Sequence, residues 1–493
     1  MAEVLPAARS NIRMEHPAIK RIEGQILQPQ EVVFGAPSPE LARSVVQAME
    51  IFPEKMRVRQ LRERVPTFHA SVILPKAGEP VAESQQRLSQ PSKTAIFFLS
   101  GAPGSGPEHA FIAAEFFNAA KAHPELGQLA LSAAIGSALS TDTEGSPFVA
   151  QTAERAAYLA AFIYELVEKQ GIDQIYLVGQ SLGGVELPYL GPLLKRLFSL
   201  RQQKTTVGGI VMHQPGGMAK RNLKESLAFM TTRTARVASR IDEAIYMFPS
   251  IEDIADMMIK IGHARDRGDH PLADNLERTL SDMRNQRERN QHYIETYLSD
   301  EQKQRLEQVE RKIAKEHYGG SSRKLSRLYK ERIRLLQTVV EKLLSDRAKE
   351  LKNPSPGSFI NLLPLVGPNR GITGMTPAEI RALSDFPVAV TASEKDVYFP
   401  EREITAGIMR EQIERYQRLS AQSTSEDSEK VHQASRLFPN APETFLVEIA
   451  NLPHTGTTVD IERVAPMLLD IMKRMQEASH DPQPGKTTRL SYF

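Results

Sequence analysis

Short apolar runs alternate with segments of helical spacing through the first half of the chain, and that alternation sets the fold class. Residues 67–74, 95–100, 129–135, 175–178 and 209–214 are the runs. Several are continuously apolar and bounded by turn residues, the pattern of strands buried on both faces. Between them, residues 111–122, 147–168 and 182–200 carry helical periodicity, the second with Pro147 in its first turn. Strands alternating with helices predict an α/β fold: a mostly parallel sheet with helices on both faces.

From residue 216 to about 375 the rhythm changes. Ile251, Ile254, Met258 and Ile261 fall on one helical face, as do Leu306, Val309 and Ile313, and later Leu325, Leu328, Leu336, Val339 and Leu343. The surrounding positions are densely charged, so these are narrow-striped, solvated helices. The segment reads as a large inserted all-helical cap, with Gly319-Gly320-Ser321-Ser322 as a hairpin turn and an antiparallel coiled-coil arm as a candidate within it. Strand patterns resume at 386–392 and 444–450, separated by a charged helix at 401–419 and followed by an amphipathic helix at 463–475. The expected organisation is an N-terminal extension (1–65, with a helix over 39–49), a core in two parts (66–217 and 376–478) split by the cap (218–375), and a loose C-terminal tail (479–493).

Composition narrows the function. Sixty-two Lys and Arg against 60 Asp and Glu argue against a nucleic-acid binder that works by general positive charge. Without cysteine there are no disulfides and no thiolate metal sites. No apolar run approaches the ~18 residues that cross a bilayer. The first residues lack a basic and an apolar leader region, so a cytoplasmic protein is expected.

The chemistry concentrates at Gly179-Gln180-Ser181-Leu182-Gly183, between a strand and a helix. That is the G-x-S-x-G pattern in the strand–turn–helix context that lifts a serine hydroxyl clear of the sheet. Free N–H groups of the helix beneath it suit a developing negative charge. Two later segments complete the set: Asp396 follows the strand at 386–392, and His454 follows the strand at 444–450. A serine hydroxyl needs an imidazole to take its proton and a carboxylate to hold that imidazole in the right tautomer. Of twelve histidines, only His454 lies between the last of these strands and the helix after it. Glu394 is the alternative acid. His213 also ends a strand but has no acid close after it, and is expected to be structural or pocket-lining. Gly101 and Gly106 have phosphate-loop spacing, but Pro107 and Glu108 stand where that loop needs Lys and Ser/Thr, so nucleotide binding is not expected.

With these motifs the chain resembles the α/β-hydrolase fold superfamily over residues 68–217 and 386–475. Asp396 and Pro400 keep the places of its acid turn, with Ser393 where glycine is common and Pro453 before the histidine. The subfamily is not identified. The resemblance implies Ser181 as nucleophile, His454 as general base and then acid, Asp396 as orienting carboxylate, and the backbone N–H groups of Leu182 and Ala102 as oxyanion hole. It implies no cofactor and no metal.

The expected function is a serine hydrolase of the esterase, lipase or thioesterase kind, cleaving an ester, thioester or amide of a small-molecule acyl substrate through an acyl-enzyme. The Met and Leu content of the cap favours an apolar acyl group, Asp142 and Glu144 could line the entrance, and Met257, Tyr293 and Tyr297 are expected to pack within the cap. The cap is also a candidate for self-association. The competing expectation is a non-catalytic scaffold of the same fold whose helical arm contacts proteins or a membrane surface.

Overall fold

The computed structural model describes residues 27–34, 37–58, 61, 68–75, 92–101, 110–120, 123–135, 152–215, 240–317, 322–347, 380–393, 396, 437–449, 452–454, 456–484 and 486–492. Nine strands form one sheet: β1 (Leu27–Phe34), β2 (Phe68–Pro75), β3 (Lys93–Leu99), β4 (Gln128–Ile135), β5 (Gln174–Gln180), β6 (Thr206–His213), β7 (Val388–Ser393), β8 (Glu443–Ile449) and β9 (Lys486–Tyr492). Their spatial order is β1-β2-β4-β3-β5-β6-β7-β8-β9. The β1–β2 and β2–β4 pairs are antiparallel, and every other pair is parallel.

The helices are α1 (Pro39–Ala48), α2 (Ala110–Ala120), α3 (Thr152–Gln170), α4 (Leu182–Leu200), α5 (Ile241–Met247), α6 (Ile251–Asp266), α7 (His270–Tyr297), α8 (Asp300–His317), α9 (Ser322–Arg347), the single turn α10 (Gly456–Val459), and α11 (Ile461–His480). Two apolar layers sandwich the sheet, as its buried runs require. Along β3, Ala95, Phe97 and Leu99 join a layer built by α1, α3 and α4, whereas Ile96 and Phe98 join one built by α2 and α11. The two-residue period of a strand makes this division. Helix α3 is so deeply set that all but a few of its residues are buried, which its alanine-rich sequence allows.

The N-terminal segment contributes to the core. Strand β1 extends the sheet, and Leu41, Val45 and Ala48 of α1 bury into the first layer. At the other end the expected loose tail is corrected. Helix α11 runs to His480, and β9 pairs in parallel with β8 from Glu443↔Lys486 to Ile449↔Tyr492. Leu490 and Tyr492 pack on the second layer, and the Tyr492 hydroxyl donates to Asp470 at 2.6 Å. The alternation is masked because an edge strand is half solvated and carries Lys and Arg on its open positions.

Helices α5 to α9 form a separate body with its own apolar cluster, including Met247, Phe248, Leu306, Val339, Val340 and Leu343. Helices α8 and α9 run antiparallel, since Glu316 pairs with Lys324, Glu310 with Arg332 (3.0 Å) and Arg305 with Glu331 (2.6 Å). The carbonyls that α5 leaves open at its C-terminus are taken by Asn290, which donates to Met247 O at 2.9 Å, and by Arg332, which donates to Phe248 O at 2.9 Å. Helix α6 starts from a capping box between Ser250 and Asp253. Tyr293 and Tyr297 stack and pack against the cap cluster. Val459, beside the histidine segment, joins the same cluster and ties this helical body to the core. The expected start of a helix at Pro147, the Gly319–Gly320 turn, the helix at 401–419, and the residues Ala102, Asp142, Glu144 and Glu394 lie outside the described residues. Among the described residues no helix is long and apolar enough to cross a membrane.

Candidate active site

The site lies at the carboxyl ends of β3, β5, β6, β7 and β8, where an open α/β sheet leaves its strand ends free. Ser181, between β5 and α4, has φ 51° and ψ −112°. A non-glycine residue holds such a conformation only when its surroundings over-determine it, and strain of this kind collects at functional sites. Here the surroundings are close contacts of bare backbone. A Cβ on Gly179 would come within 2.4 Å of Gly183 O, and one on Gly183 within 2.4 Å of Leu99 O. The turn therefore requires glycine on both sides of the serine for space, and the G-x-S-x-G spacing follows. The N–H of Ser181 donates to His213 O at 3.0 Å, fixing the turn to β6.

Gly101, just past β3, lies directly against the serine. A Cβ there would lie 2.9 Å from Ser181 Cβ and 3.6 Å from its Oγ. The first turn of α4 starts at Leu182 immediately below, so its unpaired N–H groups open toward the same point.

Past β7, Asp396 is 1 % exposed, and its own N–H donates to Ser393 O at 3.2 Å. Past β8, His454 puts Nδ1 2.9 Å from Asp396 Oδ2. The aspartate side chain is fully enclosed, whereas the imidazole keeps 11 % exposure. An imidazole so held keeps Nδ1 toward the acid. Gln180, the residue before the serine, donates from Nε2 to His454 O at 2.7 Å, so the serine turn and the histidine turn are joined directly.

His213 ends β6 in full burial, with Nδ1 2.8 Å from Thr391 Oγ1. Burial, helped by the nearby His454, pushes its pKa down to about 3. It is a neutral packed imidazole at physiological pH, in keeping with a structural or pocket-lining place. Gln214 follows at φ 43°, its N–H donating to Thr391 O at 3.2 Å and to Thr391 Oγ1 at 3.1 Å.

Sequence reasoning missed three features. The first is a buried ion pair under the elbow, Arg155 on α3 to Glu186 on α4 at 2.7 Å, with side chains 2 % and 5 % exposed. Burial raises the Glu186 pKa, and the neighbouring Arg155 opposes that rise. A charge set among apolar neighbours, Arg155 before a run of alanines and aromatics and Glu186 between Val185 and Leu187, was the available signal. The second is a polar cluster from cap to core. Tyr246 donates to Asp460 at 2.6 Å, and Arg463 reaches both Asp460 (3.4 Å) and Asp282 (3.1 Å). Burial and the adjacent Asp460 carboxylate hold the Tyr246 pKa well above its usual value. The third is the pair Gln180 and Gln214, whose roles depend on long-range contacts.

The sheet order, the parallel crossovers and a strand–serine–helix turn with the serine in a strained conformation are those of the α/β-hydrolase fold. No known family profile matches the sequence, and no curated protein matches it. Solved structures similar to it include a bromoperoxidase from Bacillus anthracis, at 10 % identity and TM-score 0.36 over 83 % of this chain and 95 % of that one. Another is naproxen esterase (carboxylesterase NP) from Bacillus subtilis, at 9 % identity and TM-score 0.35 over 87 % and 96 %. A third is an acetylester hydrolase from Corynebacterium glutamicum, at 13 % identity and TM-score 0.34 over 83 % and 90 %.

Proposed function

We propose that this protein is a serine hydrolase that cleaves an ester, thioester or amide of a small-molecule substrate through an acyl-enzyme intermediate. The observation that carries the reading is the 2.9 Å contact between His454 Nδ1 and the buried Asp396, made beside a serine held in a strained elbow. In this scheme Ser181 Oγ attacks the carbonyl carbon while His454 Nε2 takes the hydroxyl proton. The oxyanion is met by N–H groups at the start of α4 and in the loop after β3, with Leu182 and Ala102 as the donors. His454 then gives the proton to the leaving group, and water repeats the two steps to release the acid. Asp396 orients the imidazole and balances the charge it takes on.

The core in two parts with a helical segment between them in sequence fits this chemistry, because β6 and β7, which flank that segment, still pair within one sheet. An apolar acyl group is the proposed substrate side, lying between the strand ends and the cap. The test is labelling with a fluorophosphonate probe and turnover of chromogenic esters of graded acyl length. Labelling that is lost in Ser181→Ala, with turnover falling ~10⁴-fold in Asp396→Asn, is the expected result. Glu394→Gln should leave turnover close to that of the parent. A folded protein that neither labels nor turns over any ester, thioester or amide would overturn the reading in favour of a non-catalytic scaffold.

A further inference from the structure

We propose that Gln180 and Gln214 are positioning residues for His454: two carboxamides, from the ends of adjacent strands, grip three successive carbonyls of the turn that carries the imidazole. This rests on the function proposed above and goes beyond it by assigning what holds the base in place.

Gln180 Nε2 donates to His454 O at 2.7 Å, and Gln214 Nε2 reaches Leu452 O and Pro453 O at 3.4 Å each. Residues 452, 453 and 454 are therefore held in sequence. The grip comes from β5 and β6, the two strands that also lock Ser181 through its N–H bond to His213 O. Nucleophile and base are thus referred to the same pair of strand ends. Pro453 has no N–H to donate, and the Gly456 N–H bond to Pro453 O at 2.9 Å closes the distal side of the turn.

Two costs at Gln214 argue that its side chain is there for its amide. Its φ of 43° is a conformation in which glycine would be unstrained. Its Oε1 is buried with no hydrogen-bond partner among the described residues, an expense that an apolar residue would avoid. Both are met only if Nε2 must reach the histidine turn. Gln180 is 8 % exposed, in the position between Gly179 and the serine, and makes the shorter of the contacts.

Displacing a catalytic group by ~1 Å costs on the order of 10²-fold in rate. Gln180→Leu, which keeps the volume and removes the donor, should lower kcat ~10- to 100-fold while KM stays within a factor of ~3. Gln214→Gly, which relieves the backbone and removes the amide, should lower kcat by a smaller factor, its melting temperature set by the relaxed backbone against the vacated buried volume. The second readout is the downfield proton NMR signal of His454 Nδ1–H toward Asp396. It should be present in the parent and broadened or shifted in both variants. Unchanged kcat in both variants, or a kcat loss matched by a lower melting temperature and an unmoved Nδ1 proton, would overturn the positioning role. If the parent protein lacks Ser181-dependent turnover, the function reading fails by itself, and the Nδ1 proton alone decides the grip: an unmoved signal in both variants refutes it.

Discussion

Replacing His213 by Asn should convert a strongly acid-sensitive fold into a less sensitive one. The imidazole is fully buried, and its pKa is pushed down to about 3 by burial, with His454 adding to the effect. In the unfolded chain it titrates near 6.5. Between those values the unfolded state binds one more proton than the folded state, so stability falls as pH falls, by ~1.4 kcal/mol per unit. Integrated from pH 7 to pH 4.5, this one side chain removes about 2.5 kcal/mol of stability. Asn cannot take up the proton and can keep the contact that Nδ1 makes with Thr391. It leaves part of the ring volume empty, a cost on the order of 1–3 kcal/mol that does not depend on pH. The variant should therefore be the less stable protein at pH 7, with the deficit shrinking by about 2.5 kcal/mol by pH 4.5. Urea unfolding of both proteins at the two pH values, with equal slopes against denaturant, measures this. A deficit that stays constant across that range would show that His213 titrates normally in the folded protein, and the buried neutral imidazole would be refuted.

Ser181→Gly should abolish turnover while raising stability by ~1 kcal/mol or more, because glycine relaxes the positive φ; a chemical melt beside an ester assay separates the two effects. Gly101→Ala should cut kcat further than it cuts stability, since the new methyl would sit 2.9 Å from Ser181 Cβ, and it is checked by kcat against melting temperature. Arg155→Met should cost ~3–5 kcal/mol by leaving Glu186 buried and unpaired. With Arg155 gone, the already raised Glu186 pKa rises further, so the folded state gains a proton relative to the unfolded one. The deficit should then be smallest at acid pH and grow as pH rises through the folded pKa, which denaturation at several pH values would follow.

The parallel core was legible because its strands are short, continuously apolar and punctuated by glycine, so β3, β5, β6, β7 and β8 each lie within three residues of the expected runs. The serine turn was legible for a different reason. Its glycines are demanded by contacts between nearby atoms, and those leave a fixed local spacing. Strand β9 was not, since half of its residues face water and its pairing partner is distant in sequence. The same holds for Gln180, Gln214 and the Arg155–Glu186 pair. Such polar groups carry no periodicity, and only the folded sheet brings their partners within reach.

The joint at Tyr246, Asp460 and Arg463 bears on how a substrate would get in and out. Asp460 stands six positions after His454, on the far side of a single helical turn. A hinged lift of the whole helical body would have to break this mooring or drag the imidazole's own segment with it. Traffic through the site is then better served by movements that leave this mooring intact, with the helical body staying tied to the core.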